Sequence, residues 1–112
     1  MDETRIRQRV AIGVDHPAFA GHFPGRPVLP GVALVAEAME AALADPALAA
    51  AIGPAPRLSV VKFLAPAGPG TTLDVELRLE ARAVAFRIDD GGGRTVASGQ
   101  FARADLDPAA PR

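Results

Sequence analysis

His16 and His22 are the two histidines of this chain. Histidine is the side chain whose ordinary pKa lies nearest neutrality, so each is a candidate for moving a proton. His16 sits in Asp-His-Pro and reads as an ordinary loop residue. His22 stands in FAGHFPGRPVLPG, where it can do chemistry or simply hold a turn by hydrogen-bonding the backbone. Gly31 closes that loop and opens a helix. Its N–H is therefore among the donors left unpaired at the positive end of the helix. Glu37 and Glu40 follow on the same helix. Cysteine is absent, so neither a disulfide framework nor a cysteine-ligated metal site can form.

The elements that must position these residues can be read from periodicity. Ile6, Val10, Ile12 and Val14 fall at alternate positions, with Arg5, Arg7 and Arg9 between them, which predicts a half-buried strand. The segment DHPAFAGHFPGRPVLP, residues 15–30, holds four prolines and reads as a stiff, irregular loop. Residues 31–51 predict the one long helix, rich in alanine, leucine, methionine and glutamate. Its apolar stripe is Val35, Met39, Ala42 and Leu43, and Pro46 ends or kinks it, with a short second helical piece running on to Gly53. Residues 58–64 (LSVVKFL) read as a mostly buried strand. Leu73, Val75, Leu77 and Leu79 alternate with Asp74, Glu76, Arg78 and Glu80, which predicts a strand with one wet face. Val84, Phe86 and Ile88 continue the pattern, DDGGG at 89–93 makes a hairpin turn, and residues 94–103 form the last strand. A lone helix beside an antiparallel run of strands predicts an α+β fold, with the bland, alanine-rich helix buried by a sheet that curls around it.

Residues 19–43, FAGHFPGRPVLPGVALVAEAMEAAL, resemble the hotdog-fold 3-hydroxyacyl-acyl-carrier-protein dehydratases of fatty-acid synthesis and their relatives. The signature of that family is G-H-F-P-G-x-P-x-x-P-G-V, followed by a helix with an acidic residue in an E-A-M or D-A-M context. Gly21 to Val32 match it without a gap. A weaker likeness covers VVKFLAPAGPGTTLDVELRLEA, similar to the family's K-F-x-x-P-x-x-P-G-D stretch, with Thr71 where the family has aspartate. The resemblance implies a single hotdog domain over residues 1–112, a long helix wrapped by an antiparallel sheet. It also implies a homodimer with sites built from both chains, and a 3-hydroxyacyl substrate carried as a thioester on acyl carrier protein or coenzyme A. Neither a metal nor a dissociable cofactor is required.

Within that resemblance His22 is the base that removes a proton from C2, and the Gly31 N–H polarises the thioester carbonyl. Glu37 is the acid that protonates the departing hydroxyl. One departure matters. The family's acidic residue lies fourteen positions after the histidine, where this chain has Ala36; Glu37 lies fifteen after His22. Either one residue is inserted where the loop becomes helix, which brings Glu37-Ala38-Met39 into register with E-A-M, or the acid is absent. A one-residue shift turns a helical side chain by about 100°. On an ideal helix Glu37 then points away from the Val35/Met39/Ala42 stripe, toward the side of Glu40. The second case implies a catalytically silent hotdog that binds acyl thioesters or pairs with an active paralogue. An acyl thioesterase is a weaker alternative.

Bulk properties narrow the field further. A formal net charge of −1 offers no electrostatic footprint for nucleic acid. No apolar run approaches the roughly 20 residues of a membrane helix, and the charged start MDETRIRQRV is unlike a secretory signal. A cytoplasmic protein is expected. Some of the twelve basic residues, Arg26, Arg57 and Arg82 among them, are candidates for docking an acidic carrier protein.

Overall fold

The computed structural model describes residues 5–13, 30–81 and 83–103. Among these residues, five strands and two helices are laid down in the order β1 (Arg5–Ala11), α1 (Gly31–Leu43), α2 (Pro46–Ile52), β2 (Pro56–Phe63), β3 (Thr72–Glu80), β4 (Ala83–Asp89) and β5 (Thr95–Arg103). The strands form one sheet in the spatial order β1-β3-β4-β5-β2, every pair antiparallel. The two strands that come first in the chain thus lie at opposite edges, and the helical segment connects one edge to the other.

Alternation decides the faces. Leu73, Val75 and Leu77 of β3, Val84, Phe86 and Ile88 of β4, and Val96, Ala97 and Phe101 of β5 are buried. Between them Asp74, Glu76, Arg78 and Arg87 face out. The inner face is covered by Leu34, Ala38, Ala41 and Ala42 of α1 and by Leu48 and Ile52 of α2, and together these residues make one core. Phe86 and Phe101 stack within it, ring centroids 4.9 Å apart. Gly99 lies opposite Phe86 in the β4–β5 register. A Cβ there would fall 2.6 Å from the tip of the Phe86 ring and 2.5 Å from the Val60 carbonyl oxygen, so the ring takes the space that a side chain at 99 would fill.

The helical segment divides where proline requires it. Asp45 caps α2 by accepting the Leu48 N–H at 3.0 Å, with Pro46 at the first turn where its missing N–H costs nothing. The buried stripe of α1 corrects the expectation from sequence. It is Leu34/Ala38/Ala41/Ala42, while Val35 and Met39 are half-buried on a flank and Leu43 is exposed. Small side chains let the helix approach the sheet closely, and that packing, rather than side-chain bulk, sets its rotation.

Strand β2 brings a second correction. Its apolar run is an edge, not an interior: Leu58, Val60, Phe63 and the following Leu64 are all exposed, Val60 at 49% and Phe63 at 53%. The β2–β5 register shifts between Leu58 and Val60. The bulge leaves Leu58, Val61 and Phe63 on the helix side and turns Val60 and Lys62 outward.

The outer face of β1, β3 and β4 is a lattice of opposite charges. Arg7 and Arg87 both reach Glu76, at 3.1 and 3.7 Å, Arg87 also reaches Asp89 at 3.3 Å, and Arg9 pairs with Asp74 at 3.2 Å. Asp74 and Asp89 stand directly opposite each other across β3 and β4. Like charges in that position repel, and the flanking guanidiniums offset the repulsion.

Candidate active site

The start of α1 is where the described residues gather the features of a site. Pro30 is the N-cap, in extended geometry, and has no side chain able to accept a hydrogen bond. Its carbonyl takes the N–H groups of Ala33 and Leu34, at 2.9 and 3.3 Å. Among the described residues no side chain caps the helix, and no acidic residue occupies its first turn. The amides of Gly31 and Val32 therefore carry the positive end of the helix dipole without an anionic partner of its own first turn.

An open apolar hollow of about 600 Å³ lies at this end, bounded by Val32 and Leu34 on the helix side and by Phe63, Leu64 and Pro66 on the β2 side. Phe63 is pressed against the helix. A Cβ built on Gly31 would stand 2.7 Å from the ring's Cζ and 2.8 Å from Cε1, well inside van der Waals contact. A side chain at 31 would thus drive the Phe63 ring from this place, independent of any role for the Gly31 N–H.

Glu37 and Gly31 are both on α1, six residues and so about 9 Å apart along the axis. Glu37 is half-buried on the flank of the Leu34/Ala38/Ala41 stripe, whereas Ala36 and Glu40 are exposed. The expectation from an ideal helix put Glu37 on the far side with Glu40; the rotated stripe brings it nearer the core. His22 and His16, with Pro24 and Pro27 of the expected stiff loop, lie outside the described residues, as do Arg26 and Arg82. Among the described residues no group of histidine, cysteine, aspartate and glutamate could hold a metal ion. No helix among them is long and apolar enough to cross a membrane.

Comparison with known proteins decides the family. The model of the ApeI-like family, described as ApeI dehydratase, matches residues 1–100. The 3-hydroxyacyl-acyl-carrier-protein dehydratase FabZ of Thermomicrobium roseum is 36% identical over 116 residues, covering 90% of this chain and 73% of that protein. The chain belongs to the ApeI-like dehydratases. FabZ of Acetivibrio thermocellus is also 36% identical, over 91 residues that span 78% of this chain and 60% of the relative. Among solved structures, the dehydratase heterocomplex ApeI:P from Xenorhabdus doucetiae superimposes with a TM-score of 0.70 at 26% identity, over 91% of this chain and 97% of that one. The sheet and helices of this ApeI-like chain are therefore a hotdog, and it is 3-hydroxyacyl-acyl-carrier-protein dehydratase-like in sequence and in fold.

Reading the sequence missed Phe63 as part of this region. The signal was present, since Phe63 is the aromatic of the K-F-x-x-P likeness, but nothing in a linear pattern says that the end of β2 meets the start of α1.

Proposed function

We propose that this chain dehydrates 3-hydroxyacyl thioesters, presented on the pantetheine arm of acyl carrier protein or as coenzyme A esters, in fatty-acid or related lipid synthesis. The observation that carries the reading is the motif from Gly21 to Val32 ending where α1 begins, with two uncapped amides beside an apolar hollow. Neutral His22 takes a proton from C2. The electron pair moves toward the thioester oxygen, where the Gly31 N–H stabilises the developing charge. The pair returns to form the C2–C3 double bond as the C3 hydroxyl leaves with a proton from Glu37, giving water and a trans-2-enoyl thioester.

The active form we propose is a dimer joined along β2, with His22 and Glu37 supplied by opposite subunits. The exposed run Leu58, Val60, Phe63 and Leu64 lies along an unpaired strand edge, which is a template for another strand. Val32, at 79% exposure, continues the apolar surface onto the helix. A second copy of the same chain matches this edge in length and in apolar character.

A second reading has its own support: Ala36 occupies the family's acidic position and is exposed. On that reading the chain is a silent subunit paired with an active paralogue. The structure from Xenorhabdus doucetiae is that of a dehydratase heterocomplex. Assaying wild type and Glu37→Gln side by side on a 3-hydroxyacyl-pantetheine thioester separates the two. The proposal expects an active wild type and a Glu37→Gln variant that assembles normally and turns over nothing. An inactive wild type favours the silent subunit. An active wild type indifferent to Glu37→Gln overturns the residue assignment and leaves the reaction standing.

A further inference from the structure

We infer that Phe63 is a positioning residue for the thioester, a wall whose ring tip packs on Gly31 and holds the reacting carbonyl against the first amides of α1. The inference rests on the dehydratase reading and extends it to a residue on a different element. Three observations support it. The ring tip lies where a Gly31 side chain would be, with Cζ 2.7 Å and Cε1 2.8 Å from an ideal Cβ. Phe63 is nonetheless 53% exposed, so the ring is not part of the core of its own chain. Its remaining surface, with Leu64 and Val32, bounds the apolar hollow at the uncapped end of the helix.

The physical consequence is specific. A carbonyl oxygen accepting from a helix-end amide gains most when water is kept away, because the surrounding dielectric is then low. On the β2 side the group that keeps water from Gly31 is the Phe63 ring. The ring also limits how far the acyl chain can slide before C2 leaves the reach of the base, and misplacement of about 1 Å can cost on the order of 100-fold in rate. The two residues are therefore coupled: a side chain at 31 collides with the ring, and the ring reaches this place because position 31 has no side chain.

The test is a double-mutant cycle on the full chain. Wild type, Phe63→Ala, Phe63→Leu, Gly31→Ala and the Gly31→Ala/Phe63→Ala double variant are compared for kcat and KM on a 3-hydroxyacyl-pantetheine thioester. The same set is titrated calorimetrically with the unreactive amide analogue of that thioester, and melting and assembly state are recorded for each. Phe63→Ala, assayed at a concentration where its recorded assembly state matches that of wild type, should lower kcat by roughly 10- to 100-fold, with a smaller change in KM. Phe63→Leu, which keeps part of the wall, should recover most of the loss. Gly31→Ala should be severely impaired, and removing the ring in that background should restore activity, so the effect of Phe63→Ala reverses sign. Wild-type kinetics in Phe63→Ala, or effects that multiply independently, would overturn the inference. A wild type that binds the analogue but does not turn over the thioester, with binding weakened at least about fivefold by Phe63→Ala, sinks the dehydratase reading and keeps the wall. A wild type that neither turns over nor binds the analogue overturns both.

Discussion

The two edges of this sheet are made of different chemistry. Along β1, Arg5, Arg7 and Arg9 stand at alternate positions and are exposed, and Arg7 and Arg9 are tied to carboxylates of β3. Along β2, the exposed side chains include Leu58, Val60, Phe63 and, just beyond, Leu64. Charge on an edge strand discourages a further strand from adding to it, because the incoming chain would have to desolvate or repel it. On β2 Arg57 and Lys62 are exposed too, but none of the ion pairs described above ties them across the sheet, and apolar side chains stand between them. One side of the molecule is therefore covered in charge, and the other is the edge along which the proposed dimer joins. The proposed site lies on the β2 side, where the end of β2 meets the start of α1.

The strongest challenge to this contrast is to place a charge on the apolar edge. Val60→Asp puts a carboxylate into β2, and a symmetric pair would carry that charge on both sides of the proposed seam. The expected result is a monomer by light scattering and loss of about 100-fold or more in turnover, since each proposed site needs both chains. A Val60→Asp protein that still dimerises and works would show that β2 is not the joining edge. Next in size comes the core that both edges share. Phe101→Ala removes a fully buried ring stacked on Phe86 and should cost about 3–5 kcal/mol in chemical denaturation.

The charged edge should respond weakly. Glu76 is the hub of the lattice, its side chain 14% exposed and facing both Arg7 and Arg87. Glu76→Gln should cost about 1 kcal/mol, and Arg9→Ala no more than a few tenths, with assembly and turnover unchanged in both. A large loss of turnover in either variant would mean that the β1 side also carries function. The smallest effect is a pH dependence in the β4–β5 turn. Asp90 accepts the backbone N–H groups of Arg94 and Gly92 at 3.0 and 2.9 Å. These bonds, the Arg94 amide first, with help from the Arg94 guanidinium, hold its carboxyl below the usual aspartate range. A carboxyl depressed in the folded state adds stability above its unfolded pKa, and that contribution is lost as pH falls through the folded value. The turn amides should therefore exchange faster in acid in wild type, and Asp90→Asn should lose that acid-specific component.

Much of the fold was legible because alternation is a property of the chain itself. Leu73 to Leu79 and Val84 to Ile88 declare which face is wet, whatever strands lie beside them. Pro46 declares the break in the helix for the same kind of reason, since it acts on its own backbone. The errors arose where a neighbour decides the outcome. In α1 alanine occurs on every side, so the stripe was drawn through the bulkier Val35 and Met39, while packing chose Leu34, Ala38 and Ala41. In β2 the run LSVVKFL states that apolar surface must be covered, but a single sequence does not say whether the cover comes from the same chain. The site divides in the same way. The loop-to-helix motif is contiguous and was read directly, whereas the contact of Phe63 with Gly31 joins positions 32 residues apart and becomes visible only in three dimensions.

The order β1-β3-β4-β5-β2 also has a consequence for how the chain reaches this state. Strands β3, β4 and β5 follow one another through short turns, so they can zip together by local contacts alone. The flanking strands arrive from far away: Arg9 meets Asp74 across 65 residues, and Ser59 meets Gln100 across 41. Closing loops of that length carries an entropic cost before any contact repays it, and folding slows accordingly. In pulse-labelled hydrogen exchange, the amides shared by β3, β4 and β5 should gain protection first, with those of β1 and β2 following. During synthesis β2 has no partner strand until β5 is made, so its apolar side chains stay open in the meantime. Misassociation at high protein concentration should begin there, and raising the concentration of correctly folded partner should suppress it.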